Sequence, residues 1–308
     1  MLHHLRHALR SLLQSPGFTA VMLAGLLAGT FRAQAADAPA DATPLVAARK
    51  LFEAEKYPEA RAAFKKIAAA EPANAEIIFY LGWTALRQNE NEEAIKLLEQ
   101  ATTLDATKSH YFHVLGDAYN MAIQRASIFS KGGWAKKCLA AYDRGVAIDP
   151  NNLEVRRARC EFFCFAPAIA GGGMAKAYAE AAEIRKRDPL QGLSVFSDLY
   201  VHEKKYDEAF AMVDDWIRQH PESKPAIYHL GRLAAITGRQ LDRGETALRD
   251  YLKYTPVGKE PSLSSAHWRL GMLFEKKGDK PAARAEYEAA LKLDPGFTAA
   301  QESLKELK

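Results

Sequence analysis

AEIIFYLGWTALRQNENEEAIKLLEQATTLDATK, Ala75 to Lys108, decides how the chain is read. Its first half is an amphipathic helix with Ile78, Leu81, Gly82 and Ala85 on one stripe, the i, i+3, i+4 spacing of a buried helix face. Asn89–Asn91 makes a polar turn. The second half repeats the period with Ala94, Leu97, Leu98 and Ala101. Gly82 and Ala94 stand where the two helices cross, so the backbones can approach closely. A helix pair of this size cannot bury its own apolar face and needs similar neighbours stacked on both sides.

Those neighbours are present along the chain. A first copy over Asp41–Asn74 has Ala48, Ala60, Phe64 and Pro72 at its eighth, twentieth, twenty-fourth and thirty-second positions. A third opens at Ser109 with Leu115, Gly116 and Tyr119 and closes at Asp149-Pro150. A fourth runs from Leu153 to Pro189, and a fifth carries Ser197, Tyr206, Ala209, Val213 and Trp216. A sixth has Leu230, Gly231, Ala234 and Gly244. The seventh reads His267-x2-Leu270-Gly271-x2-Phe274, then Ala283-x3-Tyr287 and Pro295. Two connections exceed the ordinary turn, residues 120–133 in the third copy and 165–173 in the fourth. Thr298–Lys308 is expected as a short helix with a polar outer face, which an open end of such a row needs.

The first residues are a separate matter. His3, Arg6, His7 and Arg10 precede a short apolar run, Phe18–Thr30, and the small-residue triplet Ala33-Gln34-Ala35. That is the three-part pattern of a secretory signal peptide. A transit peptide is the rival reading, since the segment bears arginine and no acid. The expected layout is a signal peptide over 1–35, a linker over 36–43, the array over 44–297 and a cap over 298–308. Export to the periplasm or beyond, with cleavage near Ala35, follows from the first of these. The apolar run is too short for a comfortable membrane span, so no stable span is expected once the leader is gone.

Composition narrows the function classes. The 308 residues are 48% apolar and 26% charged, ordinary for a folded protein. Arg6, Arg10 and Arg32 leave with the leader, and 39 basic residues then face 38 acidic ones. That balance offers no electrostatic case for nucleic acid. Cys138, Cys160 and Cys164 are read as small buried side chains at helix crossings, because an odd number leaves at least one thiol unpaired. Gly171-Gly172-Gly173 lacks the following Gly-Lys-Ser/Thr of a phosphate loop and is read as a turn. No nucleophile elbow, paired-cysteine motif or dinucleotide fingerprint appears. Catalytic residues, metal ligands and cofactors are therefore not expected.

The array resembles the tetratricopeptide repeat, whose pattern of Leu-Gly, a following aromatic, Ala-x3-aromatic and a closing Pro the seventh copy carries in full. The two long connections, QRASIFSKGGWAKKC and APAIAGGGMAKA, are also similar to those of exported bacterial repeat proteins. The resemblance implies an all-α fold, a right-handed superhelical solenoid of about seven helix-turn-helix repeats with a C-terminal capping helix. It also implies a concave groove lined by the first helix of each repeat, mainly by positions five, nine and twelve. These positions give Phe79 and Trp83, then His113 and Asp117, then Arg157, then Asp198, then Tyr228 and Arg232, and finally Trp268. Exposed Trp, Tyr and Arg are typical anchors for a partner. The carboxylate-clamp pattern of some such repeats is missing, since Leu45, Arg49, Phe79 and Trp83 hold the leading positions.

The expected role is a non-catalytic scaffold of the bacterial envelope that holds a peptide or helix of a partner protein. The alternative is a ligand- or metal-binding sensor or enzyme built on repeats three and four, with His110, His113 and Asp117 on one helix face. Self-association through exposed repeat ends is a further option. The basic-aromatic stretch Gln124–Lys137 could touch an anionic head group, a glycan or a partner. The plainer expectation is that it folds back and packs its aromatics on repeat three.

Overall fold

In the computed structural model residues 43–307 are described. The expected signal peptide and all of the linker but Thr43 lie outside the described residues. Fifteen α-helices and one short 3-10 turn make up the described part, with no strand among them. They fall into two units, residues 43–188 and 189–307.

The first unit holds α1 (Pro44–Glu53), α2 (Tyr57–Ala70), α3 (Ala75–Arg87), α4 (Asn91–Leu104), α5 (Ser109–Arg125), α6 (Ile128–Ile148), α7 (Leu153–Phe165) and α8 (Met174–Arg187). The second holds α9 (Pro189–His202), α10 (Tyr206–Gln219), α11 (Lys224–Thr237), α12 (Leu241–Tyr251), α13 (Leu263–Lys277), α14 (Lys280–Leu293) and the cap α15 (Thr298–Glu306). Within each unit a helix packs most heavily on its hairpin mate and next on the helix that follows. Hairpins thus stack in sequence order.

Local signals set the ends. Asn74 and Asn152 cap α3 and α7, each side-chain oxygen accepting from the backbone two residues on at 3.1 Å. Such a cap satisfies donors that the first turn leaves open. Five hairpin turns place their fifteenth repeat position in the left-handed region: Glu55, Asn89, Lys204, Gly238 and Gly278. Only the last two are glycine, which adopts that backbone without steric cost.

Four hairpins are closed by a glycine at position eight lying under a large residue at position twenty-four. A Cβ added to Gly116 would stand 2.3 Å from Cε1 of Tyr142, and one added to Gly271 would stand 2.3 Å from Cε1 of Tyr287. Gly82 meets Leu98 and Gly231 meets Leu248 in the same way. Ala48 and Phe64, both fully buried, share the core of the first repeat.

Residues 120–133 correct the expectation of a long connection. The extra residues are helical: α5 has 17 residues against 13 in α3, and α6 has 21 against 14 in α4. Only Ala126 and Ser127 lie between them. Met121, Ala122, Gln124 and Arg125 are good helix formers, so the first helix runs on past its usual end. The connection after α7 is an ordered turn. Gly171 is left-handed with φ 96°, and a Cβ on Gly172 would lie 1.8 Å from the carbonyl oxygen of Ala166.

Closing the hairpins by size complementarity has a measurable consequence. Gly271→Ala forces the Tyr287 ring to shift and is expected to cost about 1–3 kcal/mol in urea unfolding. Gly132→Ala in α6 meets nothing within 4 Å and is expected to be neutral or to stabilise by up to about 1 kcal/mol through helix propensity. Equal effects of the two would contradict the packing.

Candidate partner-binding faces

The residues assigned to the groove divide by burial. In the first unit Phe79 is buried and stacks on Tyr111, ring centroids 4.3 Å apart and planes within 15°. Trp83 is half-buried among Phe52 at 4.7 Å, Phe79 at 5.4 Å and Tyr80 at 6.1 Å. These rings join the first repeat to the second and the second to the third. Phe79 therefore offers no surface to a partner, and Trp83 offers one flank.

The polar members lie on α5 and α7. His113 Nε2 stands 3.6 Å from Asp117 Oδ2, with the two side chains 15% and 23% exposed. The Tyr142 hydroxyl donates to Asp117 Oδ1 at 2.8 Å. Burial pushes the Asp117 carboxyl above the usual carboxylate range, against the opposing pull of His113 and of the tyrosine hydroxyl. Arg157 Nε lies 3.5 Å from Glu161 one turn on, both half-buried. His110 sets its ring edge-on to Phe79 at 5.1 Å. Of the expected His110–His113–Asp117 trio, His113 and Asp117 come together while His110 packs on Phe79. Among the described residues no three His, Cys, Asp or Glu side chains gather at metal-ligand spacing.

In the second unit Asp198 and Arg232 pair at 2.7 Å, 33% and 13% exposed. Tyr228 is buried, its ring 5.2 Å from that of Tyr251. Trp268 is 2% exposed. Its indole N–H donates to Ser303 Oγ at 3.0 Å and its ring packs edge-on to Phe297. Both partners belong to the cap region, so Trp268 fastens α15 to the last hairpin.

Sequence reasoning missed the buried charges. Arg156 and Glu180, each 5% exposed, pair at 2.6 Å and tie α7 to α8. Arg159 shares the same carboxylate, and Arg156 Nε also donates to the Pro150 carbonyl. Arg269, 4% exposed, lies over Trp268 with its guanidinium carbon 4.0 Å from the ring centroid. Charged residues on the buried stripe of a repeat, as Glu180 is beside Ala177 and Ala181, were the signal available. In the first unit an open cleft of about 690 Å³ lies between the Asn89–Glu93 turn and Ala122, Arg125 and Trp134.

Two of the thiols sit at helix crossings, as expected. Cys138, at the alanine position of α6, donates to the Gly116 carbonyl at 3.3 Å. Cys160, at the small position of α7, donates to the Ala177 carbonyl at 3.3 Å. Burial pushes the Cys138 thiol up to about 12 and raises that of Cys160 further. Cys164 is half-buried.

Residues 51–117 and 228–296 each match a family model described as tetratricopeptide repeat. No curated protein matches the chain. A tetratricopeptide repeat protein from Parabacteroides merdae superposes with a TM-score of 0.56 at 15% identity, over 86% of this chain and 97% of that one. Yeast Tom70 superposes with a TM-score of 0.63 at 15% identity, over 91% of this chain and 58% of that one. The chain thus spans little more than half of Tom70.

Thiolate is the reactive form of cysteine. At about pH 8 an alkylating reagent is expected to label Cys164 quickly, and Cys138 and Cys160 only as fast as the protein opens. Mass mapping after a timed pulse checks this, and three equal rates would contradict the crossing sites. At the fold level the likeness to solved structures is one of helical hairpin rows, and one segment of each unit, 51–117 and 228–296, matches the tetratricopeptide repeat.

Proposed function

We propose that the chain is a non-catalytic scaffold of the bacterial envelope that holds a peptide segment or helix of a partner protein against the first helices of its repeats. Tetratricopeptide repeat proteins generally act as protein-interaction scaffolds. One observation supports this role most: successive first helices carry half-buried ion pairs, His113–Asp117 and Arg157–Glu161 in one unit and Asp198–Arg232 in the other. Partly exposed, internally neutralised pairs can exchange partners with an incoming polar chain at little desolvation cost. Trp83 adds apolar contact beside them. Phe79, Tyr228 and Trp268 support the faces from behind rather than touching the ligand.

Export follows from the expected leader. The protein recovered from a periplasmic extract should have the mass of a chain beginning at Ala36. A full-length mass in the cytosol would contradict export.

Partner binding is tested by removing whole pairs, which leaves neither member of a pair buried without the other. His113→Ala with Asp117→Asn, and separately Asp198→Ala with Arg232→Ala, should melt within a few degrees of wild type, a shift that corresponds to about 1 kcal/mol. Recovery of the co-purifying partner should fall at least about tenfold, the cost of one interface hot spot. Unchanged recovery from both would exclude these faces.

A further inference from the structure

The apex of the α5–α6 hairpin has no part in that role, and it is built unlike the rest of the surface. Residues 127–133 are all exposed. Ile128 is 80% exposed and Phe129 is 97% exposed. Trp134 folds back as the sequence led us to expect, its ring 5.8 Å from that of Tyr119 with the Lys137 ammonium 5.2 Å from both. Ile128 and Phe129 do not follow it. Because α6 begins early, they stand beyond the preceding hairpin. The Asn89–Glu93 turn lies level with Trp134 across the cleft, and six residues of helix separate Trp134 from Ile128, roughly 9 Å at 1.5 Å per residue.

The charge carried by the tip segment itself has one sign. No acidic residue stands between Asp117 and Asp143, while Arg125, Lys131, Lys136 and Lys137 do. Lys131 and Lys136 are exposed and form no ion pair among the described residues. Of the carboxylates across the cleft, Glu90 and Glu93 are engaged by Arg61 and Glu99 by Lys137 and the Tyr119 hydroxyl, which leaves Glu92 on the cleft rim. Gly132 and Gly133 leave one side of the tip bare, since a Cβ on either would meet nothing within 4 Å. On the next repeat Ile169, 94% exposed, sits on the 3-10 turn that packs against α6. Because α7 runs antiparallel to α6, that turn is at the same end of the row.

We propose that this apex docks on an anionic lipid surface, with Ile128 and Phe129 entering the headgroup–acyl boundary and Lys131 and Lys136 against the phosphates. Exposed apolar side chains ringed by cations are the pattern of interfacial membrane binding. A stable protein interface is a packed, shape-complementary patch of about 20–30 residues a side. A convex tip that presents two adjacent apolar side chains suits a fluid surface, which closes around them. No helix among the described residues is long and apolar enough to cross a membrane, so the contact is peripheral.

The test uses the full chain with vesicles of phosphatidylcholine alone and of phosphatidylcholine with phosphatidylglycerol. Ile128→Ser with Phe129→Ser removes the apolar contact, and Lys131→Glu with Lys136→Glu reverses the charge. All four side chains are exposed, so both variants should melt as wild type does. Wild type should bind the anionic vesicles and not the neutral ones, each variant should bind at least about tenfold more weakly, and amide exchange over 125–135 should slow on adding anionic vesicles. Equal binding by wild type and both variants, or no slowing at the apex, would overturn the proposal, because any affinity would then lie elsewhere, as in residues 1–42. Loss of a protein partner from the serine variant with vesicle binding unchanged would overturn it in favour of protein docking.

Discussion

In four of the hairpins a large side chain at position twenty-four lies in the notch left by a glycine at position eight, and the rest of the structure depends on that fit. Tyr142 over Gly116, Tyr287 over Gly271, Leu98 over Gly82 and Leu248 over Gly231 are four instances of one contact. Interiors packed to crystal-like density have no slack for an added methyl group. The fit therefore sets how near the two helices of a hairpin come and which faces remain for the next hairpin. Where position eight is neither glycine nor alanine, a short polar side chain settles its own donor: Cys160 with the Ala177 carbonyl, Ser197 with the Leu193 carbonyl at 2.7 Å.

The same contact positions the polar faces. Tyr142 reaches past Gly116 and donates its hydroxyl to Asp117, and Tyr287 reaches past Gly271 to Glu275. A tyrosine that closes a hairpin thus also holds a carboxylate on the first helix. Half-buried charges persist on these faces because each has a partner, whereas an unpaired one would carry a heavy desolvation cost. The fully buried pair Arg156–Glu180 follows the same logic at the α7–α8 crossing.

The period of Ala, Gly and aromatic residues made the hairpins legible, because burial of one stripe per helix is a local property of sequence spacing. Which way a large ring leans is not. Phe79, Tyr228 and Trp268 occupy positions that the repeat pattern assigns to the groove, yet they are drawn into the core by Tyr111, Tyr251 and the cap. Those attractions come from the hairpin mate for Tyr228 and from the following repeat or the cap for Phe79 and Trp268, and they leave no mark on the residue's own spacing. Residues 120–133 were misread for a different reason. The template expects a turn after Tyr119, and Gly132-Gly133 reads as a loop, but strong helix formers on both sides carry the two helices through. The fold-back of Trp134 was expected because long connections pack on themselves; the exposure of Ile128 and Phe129 required knowing how far α6 overshoots.

The most direct measurement is a double-mutant cycle between Gly116 and Tyr142. Gly116→Ala, Tyr142→Ala and the double variant are compared by urea unfolding. If the ring occupies the notch, the methyl group harms only while the ring is present, and the double variant should be at least about 1 kcal/mol more stable than the sum of the singles implies. Additivity to within about 0.5 kcal/mol would mean that the two positions do not meet, and the account of how these hairpins close would fall.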